Sequence, residues 1–234
     1  MALIIIILIG AVTQGLTGFG FALISVPLLS LILDVKTAIP LGALCGLVIN
    51  ILLFLKFKNY IIFKEIRSLM AGALLGIPAG AFFLREAAPG IVKIVLAIVV
   101  LLFALFSLSG KLKTRGINAN WGYFYGIMAG ILGGAFNTNG PPALIYFYLK
   151  GWEKNKMKAS LVGFFTFTSV IIVSSHAIAG LITKDILVQF LYLIPVIAVG
   201  ITLGNYLFSR ISARIYNKVI IYSLIVISLL LMFK

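Results

Sequence analysis

Eight apolar runs follow one another along this chain, and their lengths restrict the fold more than any other feature. They are Ala2 to Leu33, Ala38 to Leu55, Leu69 to Leu84, Ile91 to Leu108, Trp121 to Leu149, Leu161 to Ile182, Leu187 to Phe208 and Val219 to Phe233. Most come close to the roughly 20 residues that an α-helix needs to cross about 30 Å of hydrocarbon. In lipid only helices and closed barrels satisfy their own backbones, and these runs do not alternate as barrel strands do. The expected fold class is therefore an all-α polytopic membrane protein. With 62% hydrophobic and 10% charged residues, the chain has too few polar groups to give every element a solvated face. The net charge of +14 comes from Lys and Arg in short connections, where they report orientation rather than a nucleic-acid surface. Met1 leads straight into Leu3 to Ile7 with no basic stretch, so the N-terminus reads as part of the mature protein and not as a signal peptide. The single cysteine, Cys45, lies in an apolar run and reads as a small buried hydrophobe.

One run is interrupted by the wrong chemistry. In "GGAFNTNGPPALIYFYL", Gly133 to Leu149, the amides and hydroxyl of Asn137, Thr138 and Asn139 precede Gly140, Pro141 and Pro142. A break inside the membrane frees backbone groups that lipid cannot satisfy, so it is tolerated only inside protein or along a polar cavity. The prolines suit the first turn of a new helix, where a missing N–H costs nothing, and Asn139 is placed to cap it. Such an N-terminus, with exposed amides and the positive end of the dipole, favours an anion. The first run carries a comparable break, "TQGLTGFG" from Thr13 to Gly20, with Gly18 and Gly20 for close backbone approach and Thr13, Gln14 and Thr17 as polar side chains. Glycine packing and hydroxyl-to-backbone bonding are the rival account, which competes evenly in the first break and is the weaker one in the second.

The two breaks belong to a weak internal repeat. "GAVTQGLTGFGFALISVPLL" from Gly10 aligns with "GILGGAFNTNGPPALIYFYL" from Gly130, setting Gly20 on Gly140; "GIPAGAFFLR" from Gly76 aligns with "GITLGNYLFSR" from Gly200. Charge gives the repeat a direction. If every run crosses once, Lys and Arg divide almost evenly between the two faces. The stretch Asn118 to Leu149 is too long for one straight span and too short for two. If it enters and leaves by one face, the connections at 56–67, 111–115, 150–158 and 210–218 share a side. That side then holds all the Lys and Arg except Lys36, Arg85, Lys93, Lys184 and Lys234, as the positive-inside rule requires. Residues 1–115 and 116–234 then form two repeats, each a broken re-entrant pair plus three transmembrane helices. An odd number of crossings inverts the second relative to the first and puts the termini outside.

At these breaks the sequence resembles the TauE/SafE family of sulfite and organosulfur-anion exporters. The resemblance lies in "GLTGFGFALISVPLL", a Gly-rich break followed by an apolar run to Pro27, and in "NTNGPPALIYFYL" with its Gly-Pro-Pro. Phe19 and Phe21 stand where a denser glycine cluster is usual, and Asn137 and Asn139 flank Thr138 where small residues are commoner. The resemblance implies a multi-pass permease of the plasma or inner membrane moving a small anion, sulfite or a small sulfonate. The substrate would bind at Thr13, Gln14, Thr17, Gly18, Gly20, Asn137, Thr138, Asn139, Gly140 and Pro141. The expected partners are the anion and the bilayer, with a homodimer left open and no nucleic acid; no cofactor and no metal are expected.

The acids Asp34, Glu65, Glu86, Glu153 and Asp185 all fall at or near connections, which argues against a carboxylate proton relay. His176 titrates in a useful range, yet it stands near Lys184 and suits an interfacial structural role at least as well as coupling. Asn50, Ser174 and Ser175 fit either a pathway lining or helix glue. An intramembrane enzyme would need paired aspartates, an HExxH metal site or a nucleophile with its base, and the sequence holds none. A channel or a non-transporting scaffold are the rival readings; a scaffold would tolerate apolar replacements from Asn137 to Gly140.

Overall fold

In a computed structural model the chain is described at residues 1–109, 116–152, 154–207 and 213–233, and every long element there is a helix. Two short helices and three long ones occur in that order twice. They are α1 (Ala2–Thr17), α2 (Phe21–Ser30), α3 (Val35–Phe57), α4 (Phe63–Glu86) and α5 (Pro89–Ser109), then α6 (Trp121–Phe136), α7 (Gly140–Leu149), α8 (Lys154–Ile178), α9 (Lys184–Leu207) and α10 (Ala213–Phe233). Among the described residues α3, α4, α5, α8 and α9 are long and apolar enough to cross a membrane. The basic connections at 110–115 and 208–212 lie outside the described residues, and with them Lys111, Lys113, Arg115 and Arg210.

The short pairs are hairpins. α1 has 16 residues and α2 has 10, about 24 Å and 15 Å of helix, so neither reaches across about 30 Å. Between them Gly18 and Gly20 take positive φ, 82° and 102°, which a side chain would oppose. The chain thereby turns back on itself. Ser25 Oγ donates to the Ile6 carbonyl at 3.5 Å, and a Cβ on Gly10 would stand 1.9 Å from Ser25 Oγ. In the second pair Asn137 holds the left-handed conformation (φ 56°), and its N–H returns to the Gly133 carbonyl at 2.7 Å. The rings of Tyr125 and Tyr146 then lie 6.0 Å apart across the hairpin, and Gly116 N–H donates to Leu149 O at 3.0 Å, joining entry to exit.

Each hairpin is gripped by a long helix from the other half. α6 lies on α4 and α1 on α9, while α3 meets α8 and α5 meets α10. The α4–α6 seam is backbone against backbone. A Cβ on Gly76 would stand 2.3 Å from Ile127 O, one on Gly80 2.2 Å from Ile131 O, and one on Gly134 2.1 Å from Ile77 O. The α1–α9 seam uses the same places, with Gly204 against Val12 O (2.4 Å) and Gly200 against Ala11 Cβ (2.6 Å). Gly76 and Gly80 therefore play the parts of Gly200 and Gly204, as their sequence alignment has it. At the breaks the helix ends require a shift of one position. Gly18 matches Asn137 and Gly20 matches Asn139, whereas the sequence alignment paired Gly20 with Gly140.

Apolar side chains fill the interior between these seams. Ile7, Leu41, Cys45 and Ile197 pack in one cluster, Val26, Ile39, Leu96 and Leu224 in a second, and Leu69, Tyr146 and Phe164 in a third. Leu75, Leu102, Leu191 and Val199 face outward, as residues against lipid would. Polar anchoring sits at helix ends: Asp34 caps α3 by accepting from Lys36 N (2.8 Å), and Lys156 pairs with Glu65 at 2.7 Å.

Candidate functional site

The two breaks meet at one pocket. Its wall is formed by Gln14 and Gly20 to Leu23 from the first hairpin and by Asn137 to Gly140 from the second. Gly46 and Asn50 of α3 and Phe165 and Ser169 of α8 close it. The atom-free space, open mouth included, is about 410 Å³. Every polar side chain in this wall is neutral.

Gln14 organises the first break. Its Oε1 accepts the Phe21 N–H at 2.8 Å, which serves as the cap that α2 otherwise lacks. That bond commits the amide's other end: Nε2 donates to Asn50 Oδ1 (3.0 Å), and Asn50 Nδ2 in turn donates to the Phe165 carbonyl (3.3 Å). One amide chain thus ties α1, α2, α3 and α8 around the cavity. The N–H groups of Ala22 and Leu23 belong to the first turn of α2, where a helix has no acceptor of its own, and both residues line the pocket.

The second break is built differently. Asn139 stands at the N-cap position of α7, but its side chain does not cap. Instead Nδ2 donates to Thr168 Oγ1 at 2.6 Å, and Thr168 passes its own hydrogen to the Phe164 carbonyl (2.9 Å). The capping expectation is corrected for a physical reason: Pro141 and Pro142 remove two of the N–H groups a cap would serve. Asn137 is the complementary case. Its Nδ2 lies toward Gly42 and Gly46 of α3, and no hydrogen bond joins its side chain to the described residues. An uncommitted amide donor therefore faces the cavity where Pro141 and Pro142 leave α7 without two of its first-turn donors.

Of the residues expected from sequence, Gln14, Gly20, Asn50, Asn137, Thr138, Asn139 and Gly140 come together here. Thr13, Thr17, Gly18 and Pro141 stand outside the wall. Thr13 Oγ1 donates to Ile9 O at 2.8 Å; Thr17 Oγ1 turns to the carbonyls of Thr13 and Phe19 and accepts from Phe19 N. The Thr17 hydroxyl holds the turn of the chain, while that of Thr13 bonds back within α1. His176 is fully buried, with Nε2 2.7 Å from Gly134 O, so it fastens α8 to α6 away from the wall. Ser174 and Ser175 also lie elsewhere. Phe165 and Ser169, four residues apart on one face of α8, escaped sequence reading, since their spacing in a greasy helix carries no polar cluster to draw notice.

Fold and site define a multi-pass helical membrane protein with a neutral, amide-lined pocket where two broken helices meet. The chain belongs to the TauE/SafE family: the model described as Sulfite exporter TauE/SafE matches residues 2–231. This is a transporter family and not a class of enzymes. Among curated proteins it is similar to one from Cupriavidus necator named Probable sulfite/organosulfonate exporter TauE. The two are 25% identical over 209 residues, which make up 85% of this chain and 80% of that protein. No solved structure matches the chain.

Proposed function

We infer that this protein carries a small anion, sulfite or a short organosulfonate, outward across the plasma membrane by alternating access. The observation that carries the reading is the convergence of both breaks on one pocket, with the first turns of α2 and α7 and the free amide of Asn137 in its wall. Two helix N-termini contribute roughly 0.3–1 kcal/mol each to binding an anion, and up to about 2 when partly buried. Neutral amide donors supply the remaining hydrogen bonds without holding the anion as a buried cation would. The two halves, 1–115 and 116–234, are read as inverted repeats whose hairpins re-enter the membrane and whose termini lie outside. Rocking of one half against the other would expose the pocket alternately.

Asp34, Glu65, Glu86 and Asp185 stand at helix ends, and none of the described acids lines the pocket. Export needs no such relay. A membrane potential of 100 mV, negative inside, contributes about 2.3 kcal/mol for each negative charge that leaves. The test is flux of sulfite, sulfate, a short sulfonate and acetate in liposomes holding the purified protein, with and without an imposed potential. Saturable, potential-driven flux of one oxyanion that Asn139→Leu abolishes is the expected result. A folded wild type that moves none of these would overturn the reading and leave a scaffold, while flux that never saturates would make the protein a channel.

A further inference from the structure

The pocket is lopsided, although it is built from matching places. Phe21 and Gly140 each open a short helix, and Gly46 and Phe165 each stand eleven residues after the first residue of α3 and α8. All four line the wall. Phenylalanine and glycine have changed places between the halves. In the first, the Phe21 ring is packed between Gly10 of α1, whose Cβ would stand 2.8 Å from its Cδ2, and Gly46 of α3, whose Cβ would stand 3.7 Å from its Cδ1. In the second the ring belongs to α8, and Phe165 Cζ comes within 3.8 Å of where a Cβ on Gly140 would be.

The exchange sorts the chemistry of the wall into two sides. Bare Gly46 leaves room for Asn137, whose Nδ2 lies 3.5 Å from the missing Cβ, and α2 adds the first-turn N–H groups of Ala22 and Leu23. On the other side stand the Phe165 ring and Gly140, followed by two prolines that have no N–H to give. The polar side chains there are engaged: Asn139 Nδ2 donates to Thr168 at 2.6 Å, and Ser169 Oγ to the Thr166 carbonyl at 2.9 Å. A bare inorganic oxyanion gains nothing from a side without donors. An oxyanion with a carbon chain has one end that requires hydrogen bonds and another that is better kept from water.

We propose that Phe165 is a specificity-determining residue of the transporter: with Gly140 it seats the carbon chain of an organic oxyanion whose charged head lies against Asn137 and the first turn of α2. The ring closes that side of the pocket and so sets how long the chain can be. A short alkanesulfonate satisfies both sides at once, whereas sulfite leaves the apolar side to water.

Chain selection presupposes that the pocket is the transport site, and the experiment tells the two apart. Initial rates of flux in liposomes are measured against concentration for sulfite and for methane-, ethane-, propane- and butanesulfonate, in wild type, Phe165→Ala, Phe165→Leu and Asn137→Gly. Wild type should half-saturate at a lower concentration with methane- or ethanesulfonate than with sulfite, and its affinity should fall again at butanesulfonate. Phe165→Ala should move the optimum to the longer chains, tightening binding about fourfold for each methylene newly seated, with the half-saturation for sulfite unchanged. Phe165→Leu, which opens less space, should shift the optimum the same way by less, and it carries the test if Phe165→Ala does not fold. Asn137→Gly should slow every anion by the same factor, because it removes a contact to the head. A wild type that prefers sulfite to every sulfonate, or Phe165 variants that alter all the anions alike, would overturn the assignment of Phe165 while leaving the pocket intact. Saturable flux of none of these anions would overturn the pocket reading and this one with it.

Discussion

Asn137 joins two roles that substitution can separate. Its backbone sits at φ 56°, and its side-chain amide faces the cavity with no hydrogen-bond partner among the described residues. Asn137→Gly keeps the conformation available at no steric cost and deletes only the amide; it should fold with wild-type thermal stability and lose most of the anion flux. Asn137→Ala should also lose about 1 kcal/mol of stability, because alanine resists the left-handed region. Paired melting and flux measurements on both variants check this, and an active Asn137→Gly would remove the amide from the site. Gln14 answers differently, since its two bonds hold the frame. Gln14→Leu leaves the Phe21 N–H and the side-chain Oδ1 of Asn50 buried and unanswered, a cost of about 1–3 kcal/mol for each. The expected outcome is a lower melting temperature as well as lost flux. At this scale the sequence was informative where polarity stood out against apolar neighbours. Gln14, Asn50 and Asn137 to Gly140 announced themselves that way. Which hydroxyl serves the cavity and which serves the backbone depends on the fold-back of the hairpin, so Thr13 and Thr17 could not be told from pocket residues by type.

Helix boundaries were legible to within a few residues wherever glycine or proline marked a stop, as at Gly18, Gly20 and Pro141. The start of α10 at Ala213 came earlier than the apolar run from Val219 suggested, because a helix continues through basic residues that hydropathy excludes. Partner choice between helices was less legible. Glycines at Gly72, Gly76, Gly80 and Gly126, Gly130, Gly134 indicated close packing, but only three dimensions show that these two series face each other. Since a Cβ on Gly76 would stand 2.3 Å from a backbone oxygen that cannot turn aside, Gly76→Leu should separate α4 from α6 and cost more than the ~1–3 kcal/mol of ordinary overpacking. Gly90, which has open space around its Cβ position, provides the control: Gly90→Ala should behave as wild type. Yield of monodisperse protein and melting temperature in detergent compare the two.

The positive-inside count favours one topology, and the molecule as a whole gives a way to test it. With Cys45 buried and replaced by alanine, single cysteines at Lys113 and Lys156 should both react with an impermeant thiol reagent only from the cytoplasmic side. Labelling from opposite sides would remove the inversion and the re-entrant hairpins together. The duplication itself was readable from the two Gly-rich stretches, whereas the exchange of partners between the halves was not, since pairing over such separations leaves no local trace in sequence. That exchange bears on how the protein is made. The α1–α2 hairpin leaves the ribosome first, but the helix that holds it, α9, is among the last to be synthesised. Through most of translation the first hairpin therefore has α3 beside it, bonded through Gln14 and Asn50, but lacks α8 and α9. Completion of the second half has to trigger docking of the first, which makes the final helices a checkpoint in biogenesis: a chain truncated before α9 should be recognised and degraded rather than accumulate as half a transporter.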